Sequence, residues 1–397
     1  MKIIELTEYQ SIFIPRSAIP PILKQEIEQN YPSQVKITLQ DTIEGDQWKI
    51  TAQGWVGHIP LTSEITLKLN PKVPIENLLG MLEYAYNLKS FRFLDGVTKC
   101  DSLRAYGDRL AKILTESILD RTRQGLYGTY VENQQNYRYI RGKIDFKSHL
   151  KKNWQVALKC HYQEYTRDIG DNQILLWTLN QILKTGICSA FVRHLVRKAY
   201  HALQGSVTLT PFTTKDCIGR KYNRLNQDYQ LLHSLCRFFL DLSTPTHKEG
   251  DSQMRPFLVD MAQLYERFVA EWLKVHLPKT LYLKSQARVQ IGETLQFRID
   301  LVIYDQATNQ AIYVLDTKYK LTAKPSNIDF NQVVTNSISQ NCPEAILIYP
   351  YPLEQSLDLI IGKIRVRSLI FSLEGDLDTA GNLFLENLFQ NRKTIIP

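Results

Sequence analysis

The sequence predicts a protein of several domains in the α+β and α/β classes, and three observations carry that prediction. Residues 1–75 alternate apolar and polar side chains in short runs, the period of half-buried strands. Residues 76–250 carry apolar side chains mostly at helical spacing. Residues 251–397 read helix, three strands, helix, strand, the order of a mixed sheet with a crossover helix.

In the first region the clearest strands are Val35–Leu39, Trp48–Ala52 and Ile65–Leu69, separated by Gly, Asp and Pro, and Pro71 and Pro74 close it. From Ile75 the pattern turns helical, with Leu78, Leu79, Met81, Leu82, Tyr84 and Ala85 on one side. A second helix runs from Ser102 to Arg123 and stops before Gly125. Helices are expected over residues 168–186, 188–204 and 223–242. The polar stretch Ser243–Asp251, with Pro and Gly, reads as a linker. A helix over Val259–His276 then buries Met261, Leu264, Tyr265, Phe268, Val269 and Trp272. Strands follow over residues 281–290, 296–304 and 311–319, then a helical or mixed segment over 327–340. Strands Ala345–Tyr349 and Ile364–Ile370 end the series.

The composition, 44% hydrophobic and 22% charged, is that of an ordinary globular protein, and 397 residues suffice for two or three cores. No apolar run reaches the roughly 18 residues of a membrane span, and the acidic start lacks the apolar stretch of a signal peptide. A cytoplasmic location is the expectation. Six scattered cysteines with no CxxC pair argue against a zinc site and a disulfide framework. The net charge of +8 lies entirely in residues 1–251, while residues 252–397 are neutral, which suits an anionic partner or a solvated basic surface.

The chemistry concentrates in the last region. Phe297–Tyr304 and Ala311–Tyr319 are apolar strands, the first carrying Asp300 and the second Asp316 and Lys318. Alternation puts Asp316 and Lys318 on one face, and pairing across the loop Asp305–Gln310 would bring Asp300 to them. Two gathered carboxylates repel unless a cation lies between them, and oxygen ligands select Mg²⁺, with Mn²⁺ a possible substitute. A lysine beside that ion suits phosphodiester hydrolysis.

These residues resemble the PD-(D/E)xK nuclease superfamily, in which an acid ends one strand and an acid-x-lysine triplet sits on the next. Here these are Asp300 and Asp316-Thr317-Lys318, with Ile299 replacing the leading proline. The resemblance implies a C-terminal restriction-endonuclease-like α/β domain with a mixed sheet over residues 251–397. It implies that Asp300, Asp316, Glu266 and the Thr317 carbonyl hold the metal and that Lys318 handles the attacking water. Glu266 stands where many members place a helix glutamate, with Glu271 as its competitor, and Gln332 completes an Asp-x-x-Gln pattern begun by Asp329. The tyrosine often found four residues after that glutamine is Asn336 here.

Most of the chain resembles the McrC family, nuclease subunits of McrBC-type modification-dependent restriction systems. The supporting segments are Val56–Ile59, Ile65–Lys72, Leu78–Ala85, Arg141–Asp145 and Tyr349–Pro350. The resemblance implies a Mg²⁺-dependent endonuclease acting on double-stranded DNA with a separate hexameric McrB-like AAA+ GTPase, whose hydrolysis it stimulates through the N-terminal region. The chain has no GxxxxGK[ST] loop of its own, in keeping with a separate motor. Two rival readings are a stand-alone repair or junction nuclease and a non-catalytic activator of the motor. Tyr137–Lys143 interleaves bases and aromatics, which could contact phosphates or form a turn with its tyrosines packed inward. Lys147, Lys151 and Lys152 read as a solvated face.

Overall fold

The computed structural model describes residues 2–16, 21–42, 45–61, 65–88, 100–146, 157–242, 257–291 and 295–390. The expected linker at 243–251 and the lysines Lys147, Lys151 and Lys152 lie outside the described residues. The chain begins with β1 (Lys2–Thr7), β2 (Ser11–Pro15), α1 (Pro21–Asn30), β3 (Val35–Thr42), β4 (Gly45–Ala52), β5 (Trp55–Pro60) and β6 (Ile65–Asn70). Then come α2 (Ile75–Ala85), α3 (Leu103–Gln124), β7 (Thr129–Tyr137), β8 (Lys143–Ile144) and β9 (Leu158–Thr166). The helices α4 (Gly170–Lys184), α5 (Ala190–Gln204) and α6 (Tyr229–Leu242) follow. The last part holds β10 (Phe257–Asp260), α7 (Met261–His276), β11 (Leu281–Ile291), β12 (Leu295–Asp305), β13 (Ala311–Thr317) and α8 (Asn327–Ser339). It ends with β14 (Glu344–Tyr349), β15 (Asp358–Ile361), β16 (Ile364–Ile370) and α9 (Leu377–Phe389).

The chain divides into two compact units. One unit takes residues 1–106 together with the chain from 255 onward, and the other takes residues 107–244. The reason lies in strand pairing. β10, which follows the linker in sequence, joins the N-terminal sheet in the order β1-β6-β5-β10. It runs directly into α7, whose first turn is capped by Asp260 accepting from the Ala262 and Gln263 amides at 3.0 and 3.1 Å. α7 therefore starts at Met261, because Val259 is paired with Val56.

A second N-terminal sheet, β2-β4-β3, packs Trp48 and Ile50 with Ile27 and Tyr31 of α1 and its C-terminal flank. α2 lies along α7, where the Tyr84 and Phe268 rings meet edge to face at 5.6 Å. The contact of β5 with β10 leaves no room for a side chain at Gly57. Its φ is +137°, and a Cβ there would stand 2.1 Å from the Phe257 carbonyl oxygen. Gly57→Ala is expected to cost about 2–4 kcal/mol in a denaturant melt, by backbone strain and the parting of β5 from β10. An unchanged midpoint would show that this close approach is absent.

The largest sheet runs β11-β12-β13-β14-β16-β15. Its first three strands are antiparallel neighbours, β13, β14 and β16 are parallel, and β15 returns antiparallel. α8 makes the crossover from β13 to β14, as the strand and helix order anticipated. Val302, Val314, Val333, Ala345, Leu347 and Val366 form the core between this sheet and α8.

The other unit adds a small sheet to the expected helices. α3, α4, α5 and α6 are accompanied by a three-stranded sheet, β7-β9-β8. β7 is almost wholly exposed and polar, so no apolar alternation marks it. The helix expected from residue 223 begins at Tyr229, because Asn226 folds back to accept the Asn223 amide at 2.7 Å and holds a turn. Buried Asn172 satisfies its amide with the carbonyls of Tyr127 and Arg167, and Tyr229 donates to its oxygen.

Candidate functional site

The register of β12 on β13 pairs Leu301 with Leu315 and ends there, which leaves Asp300 beside Asp316 where the pairing stops. The Thr317 amide approaches Asp300 Oδ2 at 3.4 Å. β13 is the strand at which antiparallel pairing gives way to parallel, and its carboxyl end is where open α/β sheets leave a crevice. Asp316 lies on the α8 face with Val314 and is fully buried. The next residue but one, Lys318, is held in line by its own amide bonding to the Ile348 carbonyl at 2.8 Å.

Lys318 Nζ stands 2.5 Å from Asp316 Oδ2, yet neither Asp316 oxygen has a well-aligned hydrogen-bond donor. Burial pushes the Asp316 carboxyl up to about 7, against the pull of Lys318 and with the added repulsion of Asp300. Asp300 is also raised, chiefly by burial, while Lys318 and the Thr317 amide hold it down. Glu266, on α7, is pushed to about 7 by burial and by Asp300, which places its charge beside the same pair. The competing acid Glu271 is instead tied to Lys274 at 2.8 Å. Gln332 on α8 accepts from Lys318 Nζ at 3.2 Å. The structure thus brings Glu266, Asp300, Asp316, Lys318 and Gln332 to one end of one sheet.

Asp329, named from sequence only as the start of the Asp-x-x-Gln pattern, has company here that sequence reasoning did not assign to the site. Asp329 is buried, and although burial pushes it up, the Lys320 ammonium at 2.9 Å holds it below its usual range. Lys318 lies 3.8 Å from the same carboxylate. Lys320 was legible, since the alternation that aligns Asp316 with Lys318 continues to it. Gln286 sits opposite Asp300 in the β11–β12 register, has φ +53°, and donates its amide to Glu266. Such a backbone conformation in a residue other than glycine is uncommon and gathers at functional sites. No sequence signal marks it. Tyr319, next to Lys318, donates to the fully buried Glu8 of the N-terminal region at 3.2 Å.

Among the described residues, no three His, Cys, Asp or Glu side chains form a ready-made cage for a metal ion. Mg²⁺ does not require one, because it binds through one or two carboxylates and completes its shell with water and substrate phosphate. A buried Asp316 carboxylate lacking aligned donors, next to Asp300, fits that donor set. All six cysteines are free, and Tyr137–Lys143 sits on the edge of the β7–β9–β8 sheet. There Tyr137 and Tyr162 share a 2.8 Å hydroxyl contact, and Arg141 stacks over Tyr162 at 4.0 Å while pairing with Glu164. Tyr139 remains 61% exposed, so the tyrosines divide between packed and open positions. No described helix is long and apolar enough to cross a membrane.

Comparison with known proteins bears on the fold and the family. A solved structure, the refined half-complex from the tetradecameric assembly of Thermococcus gammatolerans McrB AAA+ hexamers with bound McrC, matches 98% of this chain and 100% of its own. The TM-score is 0.53 at 17% identity, a likeness of fold. The type IV methyl-directed restriction enzyme EcoKMcrBC of Escherichia coli (strain K12) is 25% identical over 271 residues, 63% of this chain and 74% of that protein. The family model described as McrBC 5-methylcytosine restriction system component matches residues 50–350, and the chain belongs to that family.

Proposed function

We propose that this chain is the DNA-cutting subunit of a modification-dependent restriction system, with its nuclease centre at Asp300, Asp316 and Lys318. The observation that carries the reading is the buried, donor-poor Asp316 carboxylate held between Asp300 and the Lys318 ammonium. β11 to β13, with α7 before them and α8 leading on to β14, have the order of a PD-(D/E)xK nuclease core. Asp300, Asp316 and the Thr317 carbonyl would hold Mg²⁺, and Glu266 would complete the shell or anchor one of its waters. When bound, Mg²⁺ supplies Lewis-acid polarisation of the phosphodiester and lowers the pKa of a water. Mn²⁺, with the same taste for oxygen ligands, would serve in its place.

The residues of the chain divide the remaining work. Lys318, steered by Gln332 and Asp316, presents an ammonium to the charge that develops on the scissile phosphate. Asp329 and Lys320 hold a second ion pair beside it, which keeps Lys318 from settling on Asp329. Glu266 and Gln286 bind each other on the other flank and position the helix acid.

Recognition of the modified base and movement along DNA fall to a separate McrB-like AAA+ GTPase hexamer. McrC is bound to such AAA+ hexamers in the solved assembly that shares this fold. The β-rich residues 1–75 are the proposed contact with that motor and the route by which its hydrolysis is stimulated. The test is cleavage of methylated and unmethylated duplex DNA by the purified chain, with and without its AAA+ partner, GTP and Mg²⁺. Cutting is expected only of the methylated duplex and only with all three present. Mg²⁺-dependent cutting by the chain alone would instead favour a stand-alone nuclease, and absence of cutting in every arm would favour a non-catalytic activator.

A further inference from the structure

The helix α5 buries Val192, Val196, Ala199 and Leu203, the stripe expected of an amphipathic helix. The opposite side is unusual in its charge. His194, Arg197, Lys198 and His201 occupy exposed positions at i, i+3, i+4 and i+7, with half-buried Arg193 beside them. The helix contains no Asp or Glu. Arg193, Arg197 and Lys198 make no ion pair or side-chain hydrogen bond with any described residue.

This arrangement costs helix stability. Arg193 and Arg197 are like charges one turn apart, a spacing at which their repulsion disfavours the helix. Arg193 also lies near the amino-terminal end, where the helix dipole disfavours cations. Elsewhere in the molecule some cations are compensated locally, Arg16 by Asp46, Lys112 by Glu116, Arg141 by Glu164 and Arg365 by Asp358, while exposed cations without a partner such as Lys36, Lys215 and Lys221 are scattered and not gathered on one helix face. A face left uncompensated, at a cost to its own helix, is built for an external anion. From His194 to His201 the helix rises about 10 Å, a length over which duplex DNA presents about six phosphate charges on its two strands.

We propose that this face of α5 docks the phosphate backbone of duplex DNA, holding the substrate without reading its sequence. The proposal rests on the reading that the chain acts on DNA, and it adds a binding surface outside the nuclease centre. Phe191, 63% exposed at the start of the same stripe, would also suit an acidic protein partner, and the test separates the two.

The experiment measures binding of a short duplex to the full chain by fluorescence anisotropy in EDTA over a range of salt. Binding in EDTA is independent of cutting, because no divalent metal is free to support it. The variant is Arg193→Gln/Arg197→Gln/Lys198→Gln, glutamine being as good a helix former as the residues replaced. Affinity should fall tenfold or more, and the slope of log affinity on log salt should shrink by about 2–3, at about 0.9 for each phosphate no longer neutralised. A control, Lys112→Gln/Lys215→Gln/Lys221→Gln, changes the net charge equally and should leave the slope nearly intact. The proposal is overturned if the control loses as much, if the α5 variant keeps the wild-type slope, or if the wild type does not bind. Loss of AAA+ partner binding with DNA binding retained would overturn it in favour of a protein interface. A chain that binds through α5 but never cuts would leave this proposal standing and remove the nuclease reading.

Discussion

Asp316→Ala is expected to lower Mg²⁺-dependent cleavage by at least about a thousandfold, because it deletes both a carboxylate for the metal and the partner that orients Lys318. The protein should still fold. Asp316 is a fully buried carboxyl without aligned donors, so its removal relieves a desolvation cost. Lys318→Ala should lower cleavage to a similar degree but act oppositely on stability. It strips the counter-charge from a buried carboxylate, a change that typically costs about 3–5 kcal/mol when a buried pair is broken. Identical losses of activity with opposite shifts in melting would tie both residues to chemistry and separate that from folding. The measurement is cleavage with partner, GTP and Mg²⁺ beside a denaturant melt of each variant. Cleavage by Asp316→Ala within tenfold of wild type would remove the carboxylate from the mechanism.

The grouping of these residues was legible from the chain because alternation and strand pairing are local rules. Once Asp316 and Lys318 lie two apart on a strand, one face must hold both, and a short loop is enough to bring Asp300 alongside. Glu266 could be placed on the helix but not chosen over Glu271 from spacing. The resemblance favours Glu266, and in the structure Glu271 pairs with Lys274 while Glu266 bonds to Gln286. Gln286 itself reaches the site through a backbone irregularity opposite Asp300, and irregularities leave no periodic trace. Glu8 and Tyr319 are 311 residues apart, a contact that only the completed fold creates. The same limit explains the strands. β10 was absorbed into the helix it precedes, and β7 and β9 carry too little buried apolar surface to show a period of two. Local rules located the candidate residues, while the groups that brace them come from distant parts of the chain.

Without divalent metal, Asp316→Asn is expected to be more stable than the wild type at about pH 8, and with Mg²⁺ that order should invert. The sign follows from Asp316, whose carboxyl rises from 3.8 in the unfolded chain to about 7 in the fold, chiefly through burial. A group held above its unfolded value favours the fold less as pH rises from about 4 to about 7, and above that its penalty is constant. At about pH 8 the full cost, on the order of 2–4 kcal/mol, falls on the wild type and not on the asparagine variant. The gap should narrow at about pH 5 and close below about pH 4. Mg²⁺ reverses the argument by favouring the ionised carboxylate, so it should stabilise the wild type most at high pH and release protons as it binds. Half-buried His58, whose value is lowered to about 4 mainly by desolvation, works against the acids as pH falls but is common to both proteins and cancels in the comparison. Glu8 supplies the internal control. Burial raises it to about 7 as well, and Glu8→Gln keeps an acceptor for the Tyr319 hydroxyl. That variant should share the metal-free gain at high pH yet retain the full response to Mg²⁺, since Glu8 touches Tyr319 and not the paired aspartates. Melting curves of the three proteins at two pH values, in EDTA and in Mg²⁺, decide the matter. An equal Mg²⁺ increment in wild type and Asp316→Asn would mean that the buried carboxylate holds no metal.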